Sequence, residues 1–213
     1  MPGRAQILRE LSAIANAELF LALGWHVAIA SVICALFIGL RPSKRHAAWL
    51  LALPLLSVSA TALKHENHFN GAALGITALT LLVLGAGLPR APVTLGTTAE
   101  VVMGVAAIAF GFVYPHFLVG HSPLLYLLAA PVGLLPCPTL AVATGFTLLA
   151  GGFQARAWST TLAAVSLFYG LFGVLRLGVW LDLGLVTVGL FLLGGASRLH
   201  PAVNRQPHSL PDG

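Results

Sequence analysis

Charge is what this sequence most lacks: its 213 residues hold eleven Lys and Arg and six Asp and Glu. A soluble domain carries charge on about a quarter of its positions, so water is excluded as the main solvent for most of this chain. Cysteine is limited to Cys34 and Cys137, both in apolar surroundings. That excludes a disulfide framework and leaves the redox compartment unread. Lysine occurs only at Lys44 and Lys64. No polar stretch is long enough for a separate globular domain, and the small basic excess falls in short loops where anionic headgroups lie, so nucleic acid is set aside as a partner.

What is present is apolar helix. A span uses about 20 residues, and the hydrophobic fraction of 58% accommodates six or seven of them. The expected architecture is an all-α, polytopic membrane helix bundle of about seven transmembrane helices with the lipid bilayer as its surroundings. Residues 1–17 read as an interfacial amphipathic helix, with Ile7, Leu8, Leu11 and Ile14 on one face. Residues 18–198 read as a single membrane domain and 199–213 as a polar tail. The run from Leu19 to Leu40 is longer than a signal-peptide core and ends in a basic loop, so it is read as the first span. Later spans are expected near 46–63, 71–88, 97–114, within 123–153, and at 158–175 and 181–197.

Charge sets the orientation. With the Arg41, Lys44 and Arg45 loop inside, alternation puts Arg90, Arg156, Arg198 and Arg205 inside too, and Arg4, Arg9, Lys64 and Arg176 outside. Seven basic residues against four favour seven spans with the N-terminus out; two complete spans in 123–153 would make the split five to six. The seven-span reading invites a comparison with retinal proteins, but neither lysine lies in the last helix, which excludes a Schiff base there.

The segment 123–153 is irregular. As one straight helix it would be roughly 46 Å long, against a bilayer core of roughly 30 Å. Pro136 and Pro138 lack an N–H and disfavour helix at the preceding residue, so the backbone is expected to break around Cys137. Two readings stay open: a half-helix followed by a short span, with Pro136, Cys137, Pro138 and Thr139 as a broken-helix site, or a kink near the interface where water satisfies the freed carbonyls.

His65, His68, His116 and His121 fall in two loops expected outside, with His26 in the outer third of the first span. Imidazole binds transition metals and titrates near neutral pH, so these five are the candidate metal ligands. His65 and His68 could share an ion if helical. Clustering by accident is the competing reading. A haem on two histidines would need a second one at the depth of His26, and none is present. Glu100, three residues after Thr97, reads as a capping box rather than as chemistry. Arg176 and Asp182 flank the last turn and are a candidate ion pair, either locking a hairpin or gating. Gly120-His121-Ser122-Pro123-Leu124 lacks the final glycine of a nucleophile elbow. With no converging acid, base and nucleophile, an enzyme is the least favoured class.

Three stretches together resemble a bacterial family of integral-membrane proteins catalogued only as a domain of unknown function. They are the Asn16-containing NAELFLALGW, the Pro136-Cys137-Pro138-Thr139 element following Tyr114-Pro115, and the closing Asp182-Leu183-Gly184-Leu185. Residues 64–70 depart from the family pattern, so no role is carried across there. The resemblance implies a multi-pass protein of the bacterial inner membrane and no activity. Pro-Cys-Pro is also similar to an element of nickel and cobalt exporters. The functional expectations are passage or sensing of a small solute or ion, with a transition metal as one version, or a non-catalytic subunit or assembly factor. The second implies a homo-oligomer or a larger membrane complex.

Overall fold

The computed structural model describes residues 3–115, 117, 118 and 123–198, apart from the side chains of residues 123, 124 and 126. These residues are all-helical. The helices are α1 (Arg4–Ala17), α2 (Leu19–Phe37), α3 (Lys44–Lys64), α4 (His68–Ala86), α5 (Thr98–Val113), α6 (Pro123–Ala129), α7 (Pro136–Leu149), α8 (Arg156–Phe172) and α9 (Leu183–Arg198). Five helical stretches are long and apolar enough to cross a membrane: Leu19–Phe37, Lys44–Lys64, His68–Ala86, Arg156–Leu177 and Trp180–Arg198. The other two apolar helices, α5 and α7, are about 24 and 21 Å long at 1.5 Å per residue, shorter than a roughly 30 Å core.

Capping fixes where several helices begin. Ser43 accepts from the backbone N–H of His46 at the start of α3, and Asn67 from that of Asn70 at the start of α4. The expected capping box is present at α5. Thr97 accepts from the Glu100 N–H, and Glu100 Oε2 accepts from the Thr97 N–H at 2.7 Å. At least two orphan donors are thereby satisfied at the first turn.

Antiparallel pairs build the bundle: α3 with α4, α5 with α7, and α8 with α9. Helix α7 runs through the middle, touching α3, α5, α8 and α9, and every residue of it except Cys137 is buried. Its threonines are absorbed by packing: Thr144 bonds Ser166 of α8 at 2.8 Å, and Trp158 Nε1 donates to Thr147 at 3.2 Å. On the outer surface apolar side chains are exposed, including Phe20 at 91% and Val83 at 75%. In a protein dissolved in lipid these are ordinary solvent-facing residues. Helix α2 is the least embedded span.

Helix α1 does not lie apart from the bundle. Its expected apolar face docks onto it, with Leu11, Ile14 and Ala15 buried against the cluster around Tyr114, Leu135 and Leu177. Ser12 Oγ and Asn16 Nδ2 both donate to the carbonyl of Phe117, at 2.8 and 2.9 Å.

The break in the fifth segment lies earlier than expected. Helix α6 ends at Ala129, an irregular stretch follows, and α7 starts at Pro136. Pro136 and Pro138 therefore occupy the first turn of a helix, where a missing N–H removes no intrahelical bond. The open backbone is 130–135. Its turn is held by Thr139, whose Oγ accepts from the Gly133 N–H at 2.8 Å and donates to the Leu135 carbonyl at 2.6 Å. Gly133 has φ +77°, and a Cβ there would collide with the Trp25 ring. After α7 the chain makes a left-handed turn, Gly151–Gln154, with four successive positive φ angles. Phe153 and Gln154 are the residues for which that conformation is costly. Phe153 is held by burial and an edge-on contact with Trp158, 5.4 Å between centroids.

Candidate functional site

Asp182 is the one fully buried acid among the described residues. Helix α8 widens into a π-helical turn, Gly173–Leu177, reverses through Gly178 at φ +64°, and reaches Asp182 by a short 3-10 turn, Trp180–Asp182. An Asp in this position commonly caps its own helix. Here its oxygens are taken by other elements. The Tyr114 hydroxyl, at the end of α5, donates to Asp182 Oδ1 at 2.7 Å, and the Cys137 thiol, in the first turn of α7, donates to Oδ2 at 3.4 Å. Asp182 is 1% exposed, and among the described residues no basic side chain lies within ion-pair distance of it. The nearby positive end of α7 favours a carboxylate without supplying a full charge. Gly173 makes the approach possible, because a Cβ there would fall on the Asp182 carboxyl.

The carboxylate borders a cavity of about 40 Å³. A single water needs about 10–15 Å³. Ile7 and Leu11 of α1 cover it, and Phe117, Phe172 and Leu177 complete the apolar wall. Opposite Asp182, Tyr169 donates to Asn70 Oδ1 at 3.1 Å, joining α8 to α4. The arrangement offers a small ligand one carboxylate, one thiol, a phenol and a carboxamide inside an apolar wall. Such a set can exchange a proton or hold a small cation.

The expected site residues divide. Cys137 and Asp182, expected in separate roles, are brought together. The Arg176–Asp182 ion pair is not formed: the π-helical turn carries Arg176 to the exposed surface while Asp182 is buried beside Tyr114 and Cys137. Pro136 and Pro138 line the cavity, whereas Thr139 serves the preceding turn. His26 is buried and spent on carbonyls. Its Nδ1 lies 3.0 Å from the Ala22 oxygen, its Nε2 3.4 Å from that of Phe112, and its ring packs on Phe112. His65 and His68 do not share a helical face, because His65 ends α3, His68 begins α4, and Glu66 between them has φ +60°. His116 and His121 lie outside the described residues. Among the described residues no group of three or more His, Cys, Asp or Glu could hold a metal ion. Tyr114, Tyr169 and Asn70 are site residues that sequence reasoning did not select.

His65 belongs to a latch near the start of α2. Glu18 accepts from Lys64, and His65 Nε2 lies 3.5 Å from the same oxygen. The Lys64 hydrogen bond holds the Glu18 carboxyl below its usual 4.5; partial burial opposes this, and His65 adds to it. A depressed carboxylate contributes stability above its unfolded value and loses it as pH falls through the folded one. Thermal melting of the detergent-solubilised protein should therefore decline as pH drops below the usual 4.5, and Glu18→Gln should flatten that decline. An unchanged acid limb in the variant would remove the latch from the account. Comparison with protein-family profiles, with curated proteins and with solved structures returned no match.

Proposed function

We propose that this chain is a multi-pass protein of the bacterial inner membrane, with about seven spans and its N-terminus outside, that passes or senses a small cation at Asp182. The observation that carries the reading is the buried Asp182 carboxylate, bordering a cavity and bonded, among the described residues, by neutral donors alone. An ionisable group within a membrane bundle is expensive and marks ion or proton pathways. The short pair α5 and α7 supplies the sixth and seventh spans, with 130–135 as the re-entrant break that brings the first turn of α7 to the site. A proton or a small monovalent cation fits the donor set better than a transition metal, because Asp182 and Cys137 are its only strong ligands among the described residues.

Reconstituted liposomes test this. With a pH gradient and Na⁺ or K⁺ supplied in turn, the protein should dissipate the gradient, or the ion should raise its melting temperature. Asp182→Asn keeps the acceptor for Tyr114 but loses the charge, and should cut the response at least roughly tenfold, as removal of a charged hydrogen-bonding partner does. No ion response in the unaltered protein, or an intact one in Asp182→Asn, defeats the proposal.

A non-catalytic membrane subunit is the second reading, favoured by the sparse embedding of α2. Migration of the gently extracted protein as a homo-oligomer or larger complex on native gels supports it. A lone small particle opposes it.

A further inference from the structure

At the other end of the bundle a second site opens between the start of α5 and the end of α9. It is a cleft of about 800 Å³, bordered by Gly151 and Gln154 of the left-handed turn. Its size falls in the range of ligand pockets. The Asp182 reading does not use it.

Its polar groups carry opposite signs. Glu100 spends Oε2 on Thr97, through both the backbone N–H and the hydroxyl, while Oε1 faces α9 within 3.6 Å of where a Cβ on Gly195 would lie. Arg198, in the last turn of α9, also lines the cleft, and among the described residues it has no ion-pair partner. Gln154 contributes an amide. Its carbonyl oxygen accepts from the buried Lys44 at 2.9 Å, which orients its N–H₂ group as the remaining donor. The cleft therefore holds a carboxylate on one side, with a guanidinium and an amide donor on others.

The apolar part of the wall is equally informative. Leu190 is 57% exposed and Leu95 45% exposed, so the cleft continues onto the outer apolar surface of the bundle. A Cβ on Gly194 would meet nothing within 4 Å. The position is the end of two apolar helices, the depth at which headgroups sit.

We propose that this cleft binds one phospholipid whose headgroup carries a primary ammonium, a phosphatidylethanolamine. Arg198 and the Gln154 amide take the phosphate, and Glu100 Oε1 accepts from the ammonium. The acyl chains lie against Leu190 and Leu95. Anionic phosphatidylglycerol brings no cation for Glu100, and the quaternary ammonium of phosphatidylcholine has no N–H to donate. Charge-assisted hydrogen bonds are the strong ones, so the discrimination is set by Glu100.

Native mass spectrometry on the full chain, equilibrated in detergent with equal phosphatidylethanolamine, phosphatidylcholine and phosphatidylglycerol of matched chains, tests the assignment. The expected result is one phosphatidylethanolamine retained roughly fivefold or more above each of the others. Glu100→Gln keeps the capping box, since Gln serves at that position, yet should bring the three lipids to parity. Arg198→Ala should lose all three. Gly194→Leu, which fills open space, should exclude lipid with melting unchanged, and this reads the site if either charge variant fails to fold. Equal retention of the three lipids by the unaltered chain, preference for phosphatidylglycerol, or selectivity surviving Glu100→Gln would overturn the proposal. So would lipid binding that appears only when the chain is truncated after Arg198, because residues 199–213 would then be the occupant.

Discussion

Gly145→Ala and Gly104→Ala should each cost about 3 kcal/mol or more, where an unobstructed Gly→Ala change in a helix gains up to about 1 kcal/mol. Helices α5 and α7 meet backbone to backbone. A Cβ on Gly104 would lie 2.5 Å from the Gly145 carbonyl oxygen and 2.8 Å from the Leu149 nitrogen. A Cβ on Gly145 would lie 2.6 Å from the Gly104 oxygen and 2.9 Å from the Ile108 nitrogen. Neither obstacle is the end of a side chain that can rotate away, so the helices must separate. Once one methyl has separated them, the second meets less resistance, and the double variant should fall well short of additivity. Gly24 and Gly194 are the controls, as nothing lies within 4 Å of a Cβ at either. Equilibrium unfolding in detergent decides: losses at 104 and 145 no larger than at the controls would refute the close approach.

Gly173→Ala should be the second most damaging change, for a different reason. Its methyl would collide with a carboxyl group rather than with backbone, and that carboxyl cannot move without breaking the bonds from Tyr114 and Cys137. Burying unpaired polar groups costs about 1–3 kcal/mol each, added to the steric cost of about 1–3 kcal/mol. Removing the obstacle should help: Gly173→Ala with Asp182→Ala is expected to melt above Gly173→Ala alone. If the double variant melts lower, the alanine is colliding with something else.

Much of the architecture was legible in the sequence because lipid imposes simple demands. Scarce charge and apolar runs of span length marked the helices from the first span to α9, and Thr97 with Glu100 marked a helix start that the structure contains. The prolines were harder. Pro136 was expected to break the backbone around Cys137 and instead opens α7, and the turn before it is held by Thr139 bonding back to Gly133 and Leu135, a contact that local propensity does not encode.

The candidate site was half legible. Cys137 and Asp182 drew notice separately, yet 45 residues separate them, and only the bundle joins them. Alternation of the spans already put the end of the fourth, the start of the fifth and the start of the seventh on one side. Collecting polar residues at those ends would have placed Tyr114 with the other two. Asn70, at the outer start of the third span, carried the same signal, whereas its hydrogen bond with Tyr169 depends on how α4 and α8 are rotated. The candidate Arg176–Asp182 pair failed because spacing across a turn says nothing of a π-helical widening that points one residue outward.

The enclosure of α7 has a consequence for how the protein is made. A helix of 14 residues, apolar but too short for a roughly 30 Å core and enclosed by its neighbours in the finished fold, is poorly matched to lipid on its own when it leaves the ribosome. Helix α8, which bonds Thr144 and Thr147, and the turn after it, which brings Asp182 to the site, are synthesised later. Helix α7 must therefore wait, shielded against α5 or by the insertion machinery, until the C-terminal hairpin arrives. The site is completed by the stretch Trp180–Arg198, and a chain stopped before Trp180 would hold Tyr114 and Cys137 without the acid that unites them.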